Sequence, residues 1–244
     1  MPAVNRHRLT TLALSPLLLA QAVYVRKVTP RLPEPEGDRE GIAGTGQPLN
    51  LLILGDSAAA GVGVKYQSEA LSGRLVDALS FDFRVRWTLL AKTGLTLDGI
   101  IELSRAVTHP VLDVAVISAG VNDVTGGSSL ARWREGIGTL YDRLHTALGC
   151  RLVIFTTVPP MQDFPALPTP LRQYLGHRAV LLNEELRTVL KGLDHAALVD
   201  PDFAPTPDVI AVDGFHPGFR AYRVWADALA TLIRHRLGGG NTRG

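Results

Sequence analysis

From Leu49 onward, short apolar runs alternate with stretches in which apolar residues recur every three or four positions. Leu51–Leu54, Val111–Ser118 and Leu152–Val158 are short and nearly continuous, the pattern of strands buried on both faces. Val85, Trp87 and Leu89 alternate along another strand, and Ala197–Val199 marks a short last one. Between the strands the period lengthens. A helix is expected over Ser68–Leu79, where Leu71, Leu75 and Leu79 stand four residues apart. Others are expected around Leu97, Ile100, Ile101 and Leu103, and through Trp133, Ile137, Leu140 and Leu144. A further one carries Val180, Leu181, Leu186, Val189 and Leu190, and the last starts near Gly218 with Ala221, Trp225 and Leu229 on one face. Strands and helices alternating at this spacing predict an α/β domain over 49–236. Its sheet should be mainly parallel and five-stranded, with helices on both faces. Residues 237–244 read as a flexible tail.

The chain before Leu49 follows neither period. Arg6, His7 and Arg8 precede an uncharged apolar stretch, Leu9–Val25, which contains a cleavage-like Ala20-Gln21-Ala22. Arg26 and Lys27 follow at once, and the stretch is at the short limit for a membrane span. Residues 1–25 are therefore read as a signal or membrane anchor, with membrane association through 9–25 and a place in the cell envelope. The alternative is a helix that packs on its own domain or lies on a membrane surface, in a cytoplasmic protein. Residues 26–48, rich in Pro, Gly and alternating charge, read as an extended linker.

Composition narrows the function. The chain has 244 residues, 46% hydrophobic and 20% charged, enough apolar material for one sizeable core. A net charge of +2, with no long basic run, lacks the footprint of a nucleic-acid binder. The single cysteine, Cys150, excludes an intrachain disulfide and any multi-cysteine metal site. No ligand cluster has metal spacing, and neither a phosphate loop nor a dinucleotide fingerprint occurs, so no metal and no cofactor are expected.

In a parallel sheet, ligands bind outside the carboxyl ends of the strands. The unusual residues cluster there. Gly55-Asp56-Ser57 follows the first strand, Lys92-Thr93-Gly94 the second and Gly120-Val121-Asn122-Asp123 the third. Asp213-Gly214-Phe215-His216-Pro217 stands just before the last helix. A serine at a strand-to-helix turn exposes its hydroxyl, but it stays a weak nucleophile until a base takes its proton. Histidine suits that task because it titrates near neutrality. An aspartate three residues earlier can fold back onto its Nδ1, fixing the tautomer. The N–H groups of Ser57 and Gly94 and the Asn122 amide are the candidate oxyanion donors. The other histidines lack an acidic partner at such a spacing. Asp56 and Asp123 are expected to brace their loops, and Trp87, Trp133 and Trp225 to pack the core.

This set resembles the SGNH (GDSL-like) hydrolases, named for Ser, Gly, Asn and His in successive blocks, over roughly residues 49–236. The resemblance implies a flavodoxin-like three-layer α/β/α sandwich and an esterase or lipase. In that chemistry Ser57 is the nucleophile, Asp213 and His216 complete the triad, and Ser57, Gly94 and Asn122 form the oxyanion hole. One departure is visible: Ala58 stands where leucine is commonest, which bears on the subfamily and not on the chemistry. The family acts on lipids, lysophospholipids, thioesters, aryl esters and acetylated sugars, so a small-molecule or lipid ester is the expected partner. Met161, Phe164 and Leu167, in the proline-rich loop after the fourth strand, are candidates for an acyl-binding wall. They favour a short or medium acyl chain over the alternative, a carbohydrate O-deacetylase. A further alternative, a catalytically silent module binding an acylated partner, has no need of all three triad residues.

Overall fold

The computed structural model describes residues 2–107, 111–201, 206 and 208–238, with side chains from Leu14 to Leu237. The expected flexibility of the tail falls largely outside these residues, since helix α8 (Phe219–Gly238) runs to their end.

The strands β2 (Gln47–Gly55), β4 (Val114–Ser118) and β5 (Leu152–Thr156) form the middle of the sheet. Their side chains alternate between two apolar layers. Leu49, Leu51, Ile53, Val114, Val116, Leu152 and Ile154 face α3 (Leu71–Leu79) and α8. Leu52, Leu54, Ala115, Ile117, Val153 and Phe155 face the opposite layer, built from α4 (Leu97–Ser104), α6 (Leu130–Asp142) and α7 (Leu171–Leu190). Burial on both faces explains why these strands lack a polar alternation. The result is a three-layer α/β/α sandwich.

The sheet has six strands in the order β1-β3-β2-β4-β5-β6, not five. The additional strand is β1 (Glu40–Ala43), which pairs antiparallel with the edge of β3 (Phe83–Ala91), inside the segment expected to be a linker. Four residues with a glycine among them, half exposed, carry no periodic signal; pairing with β3 is what orders them. The other four pairings are parallel, ending at β6 (Ala196–Val199).

From β2 the chain moves outward to β3, then crosses back past β2 to β4. This reversal opens a crevice at the carboxyl ends of β3, β2 and β4, the place where such sheets bind ligands. Gly94, Ser57 and Asn122 follow those three strands in turn.

The N-terminal helix α1 (Pro2–Val28) does not stand apart from the domain. Leu18 and Val25, seven residues apart, are buried in the core layer that also holds Leu167, Leu171 and Leu175. Between them, Gln21 donates to the Thr169 carbonyl (2.7 Å) and accepts from the Leu171 N–H (3.0 Å). Leu17, Leu19, Val23 and Tyr24 remain exposed on the other side. No helix among the described residues is long and apolar enough to cross a membrane.

Candidate active site

Gly55 ends β2 so close to β4 that a Cβ would lie 2.4 Å from the Ser118 carbonyl oxygen. Asp56 then caps the short helix α2 (Ser57–Ala60), its Oδ1 accepting the Ala58 N–H at 3.1 Å. Capping in this way leaves Ser57 at the first helical position with its hydroxyl facing the crevice. The loop after β6 brings His216 opposite. Its Nε2 lies 2.9 Å from Ser57 Oγ, and its Nδ1 lies 2.5 Å from Asp213 Oδ2.

Asp213 is fixed by its own turn. Its Oδ1 accepts the N–H groups of Phe215 and His216, both at 3.0 Å, so the carboxylate is held on two sides. Burial raises the pKa of this carboxyl, but the bonds from the His216 ring and from the two backbone amides outweigh it. The net effect lies below the ordinary carboxylate value. Asp213 therefore carries charge wherever His216 needs a partner.

Beyond the end of β3, Gly94 adopts a φ of +86°, a conformation that glycine tolerates best. Neither the Ser57 nor the Gly94 N–H donates to an acceptor among the described residues. Asn122, on α5 (Val121–Gly126), donates from Nδ2 to the Leu95 carbonyl at 2.9 Å and approaches Asp56 Oδ2 at 3.5 Å. Two unspent backbone donors and an oriented amide thus stand after the carboxyl ends of β2, β3 and β4.

Asp56 and Asp123 brace this arrangement, as expected. Asp56 Oδ1 also accepts from Ser118 Oγ at 3.2 Å, tying the turn after β2 to the end of β4. Burial pushes Asp56 up to about 6, against the pull of these bonds. Asp123 accepts the Leu97 N–H (3.0 Å) and the Ser128 hydroxyl (2.9 Å), joining the start of α4 to α5; burial raises its pKa too.

A cleft lies over the ends of β4, β5 and β6, bordered by Ser57 and His216. Its apolar wall comes from Ala119, Val121, Pro159, Pro160, Phe164, Ile210, Phe215 and Trp225. The proposed acyl wall is therefore corrected in part. Phe164 borders the cleft, edge-to-face with Phe215, but Met161 and Leu167 do not. All three are buried in the core layer that packs on α7, and Phe164 alone of them also reaches the cleft. Trp225, expected only to pack, also lines the cleft, and its Nε1 donates to Thr156 Oγ1 at 3.2 Å. Its helical spacing in α8 gave the packing role alone.

The remaining histidines with described surroundings lie away from the crevice. His145 and His195 stack at 4.4 Å near the start of β5, each with its Nδ1 at a backbone carbonyl, of Cys150 and Arg151 respectively. Burial raises the Cys150 thiol to about 11, which leaves it an inert packing residue. His109 lies outside the described residues.

No curated protein matches this sequence significantly. Solved structures match the fold. A carbohydrate acetylesterase family member from Sinorhizobium meliloti has 21% identity and a TM-score of 0.58, covering 78% of this chain and 99% of its own. The lipase/acylhydrolase from Enterococcus faecalis has 20% identity and a TM-score of 0.59, with coverages of 77% and 96%. A carbohydrate esterase family 2 enzyme from Corynascus thermopiles, solved with a carbohydrate-binding domain, has 15% identity and a TM-score of 0.64, with coverages of 84% and 69%. At these identities the likeness is one of fold. The sequence itself decides the family: the model of the GDSL-like Lipase/Acylhydrolase family matches residues 53–224, a span that includes all five residues gathered at the crevice. The chain belongs to that family and is an esterase acting on carboxylic ester bonds.

Proposed function

We propose that Ser57 is the nucleophile, His216 the general base and Asp213 the residue that orients the imidazole. The observation that carries this reading is the unbroken chain from Ser57 Oγ to His216 Nε2 at 2.9 Å and from Nδ1 to Asp213 at 2.5 Å. As Oγ attacks the ester carbonyl, Nε2 takes its proton. The carbonyl oxygen becomes an oxyanion that the Ser57 and Gly94 N–H groups and the Asn122 amide stabilise. Collapse expels the alcohol, which receives its proton from His216, and leaves an acyl-serine. Water, deprotonated by the same imidazole, then releases the carboxylic acid. The test is release of nitrophenol from a nitrophenyl ester by purified protein; absence of turnover would support a silent acyl-binding module instead.

The substrate we infer carries a short or medium acyl chain. The cleft beside Ser57 is mainly apolar, and several of its polar groups are already paired. Thr157 Oγ1 donates to Asp200 Oδ1 at 2.9 Å, and Thr156 Oγ1 is bonded by Trp225. A sugar would ask for more free hydrogen-bonding groups than this wall offers. The similar Sinorhizobium protein belongs to a carbohydrate acetylesterase family and the Corynascus protein to carbohydrate esterase family 2, which makes an acetylated carbohydrate the substrate to compare. Each methylene buried is worth about 0.8 kcal/mol, about fourfold in kcat/KM. Phe164→Ala is expected to lower kcat/KM for octanoate by about tenfold and for acetate by much less. Equal losses on all chain lengths, with a lower Tm, would assign Phe164 to packing; preference for acetylated sugars would favour the deacetylase.

For location, we propose the cell envelope, with α1 lying on the membrane surface. Its outward Leu17, Leu19, Val23 and Tyr24, followed by the exposed Arg26 and Lys27, support this reading. The full chain should sediment with membranes and be released by alkaline carbonate. Recovery in the cytosolic fraction would overturn it.

A further inference from the structure

The family match begins at residue 53, yet part of the preceding segment reaches the crevice. Glu34 Oε1 accepts both the N–H and the hydroxyl of Thr93, each at 2.8 Å. Its Oε2 pairs with Arg39 at 3.0 Å, and Arg39 in turn donates to the Ala91 carbonyl at 2.7 Å. Three hydrogen bonds thus join this segment to the end of β3 and to the residue before Gly94, and the Glu34–Arg39 pair braces it internally. Burial raises the Glu34 pKa, but the bonds from Thr93 and Arg39 more than offset it, so the carboxyl sits below its ordinary value.

The same segment also touches the nucleophile's helix. Pro35 packs on Gly61, the residue that ends α2: a Cβ on Gly61 would lie 2.8 Å from Pro35 Cγ. Glu36 exchanges backbone bonds with the next turn, accepting from the Gln67 N–H at 2.8 Å and donating to the Lys65 carbonyl at 3.2 Å. Pro33 and Pro35 fix φ on either side of Glu34, and Pro35 also pushes Glu34 toward extended backbone. A stiff strap therefore bridges the loop that carries Gly94 and the far end of the short helix that begins at Ser57.

We propose that Glu34, supported by Arg39, is a positioning residue that holds the Thr93–Gly94 peptide so that the Gly94 N–H points at the developing oxyanion. This rests on the reading of Gly94 as a donor. With both Thr93 donors anchored, the orientation of the next peptide is set before substrate arrives, which is what electrostatic stabilisation of a transition state requires. The carboxylate itself touches no reacting atom.

The experiment compares wild type, Glu34→Ala, Glu34→Gln and Arg39→Ala on a nitrophenyl ester, with Tm and amide hydrogen exchange at Thr93–Leu95 measured alongside. Glu34→Ala should lower kcat by about ten- to a hundredfold, less than deletion of a direct donor, and leave KM within about twofold. Exchange at Thr93–Leu95 should quicken. Glu34→Gln keeps an acceptor for Thr93 and should recover most of the rate; Arg39→Ala should fall between. A kcat for Glu34→Ala equal to wild type, or a rate loss in Glu34→Gln as deep as in the alanine variant, would overturn the proposal. So would unchanged exchange. Ser57→Ala separates the two levels of the argument. If it retained full turnover, the catalytic reading would fail, while the exchange measurements would still report whether Glu34 orders the loop.

Discussion

Replacing Ser57 with alanine is expected to abolish ester hydrolysis while leaving Tm and circular dichroism unchanged, because the hydroxyl is spent on His216 and on no structural partner. A fluorophosphonate should label Ser57 and leave Ser118 unlabelled, although Ser118 borders the same cleft. The Ser118 hydroxyl donates to Asp56 and not to an imidazole, so labelling there would overturn the assignment. His216→Ala should be as damaging as loss of Ser57, since nucleophile and base act as a unit. Asp213→Asn should cost about 10⁴ in kcat by favouring the wrong imidazole tautomer.

The pH profile follows from the carboxylates. Asp213 has a depressed pKa, so its contribution to stability is present above the unfolded carboxylate range and is lost only as pH falls through its folded value. It stays ionised between pH 5 and 8 and does not shape the profile there. A rate that depends on a histidine base should rise with pH in that window, and a flat rate would contradict such a base. Asp56 complicates the limb, because its carboxyl, raised to about 6, interacts with the His216 charge.

The second large effect concerns Asn122. Its replacement by alanine should lower kcat by about 10²- to 10³-fold, the usual cost of one side-chain oxyanion donor, with KM nearly constant. The geometry gives a reason to expect the upper half of that range. Asn122 spends one amide hydrogen on the Leu95 carbonyl, so its loss also frees the loop that carries Gly94. A weakened KM with unchanged kcat would place Asn122 in substrate binding instead.

The catalytic arrangement was legible because each of its parts sits directly after a recognisable element. Buried parallel strands write continuous apolar runs, and Ser57, Gly94 and Asn122 follow three of them at the switch point of the sheet. Other features leave no such trace. Glu40–Ala43 becomes a strand only by pairing with β3, and Glu34 becomes part of the crevice only because β3 ends beside it. Nor does a proline-rich loop reveal which of its buried apolar residues also borders a cleft. Met161, Phe164 and Leu167 look equivalent in sequence and all are buried, yet only Phe164 lines the cleft. Helix α1 reads as an anchor from its apolarity alone, yet Leu18 and Val25 use part of that apolarity for the domain's own core.

The segment from Arg39 to Ala43 has one more consequence, which concerns molecules meeting one another. Strand β3 is nine residues long, and on the side away from β2 it would present an open row of backbone donors and acceptors. Bare rows of that kind template pairing between chains. Here β1 covers Val85–Thr88, the Arg39 carbonyl accepts the Leu89 N–H at 2.6 Å, and the Arg39 guanidinium takes the Ala91 carbonyl. The new edge is only four residues long and begins with a charged glutamate, a poor template for further addition. A chain cut just before β2, at Gln47, would keep its triad but uncover β3, and it would be prone to self-association from that side.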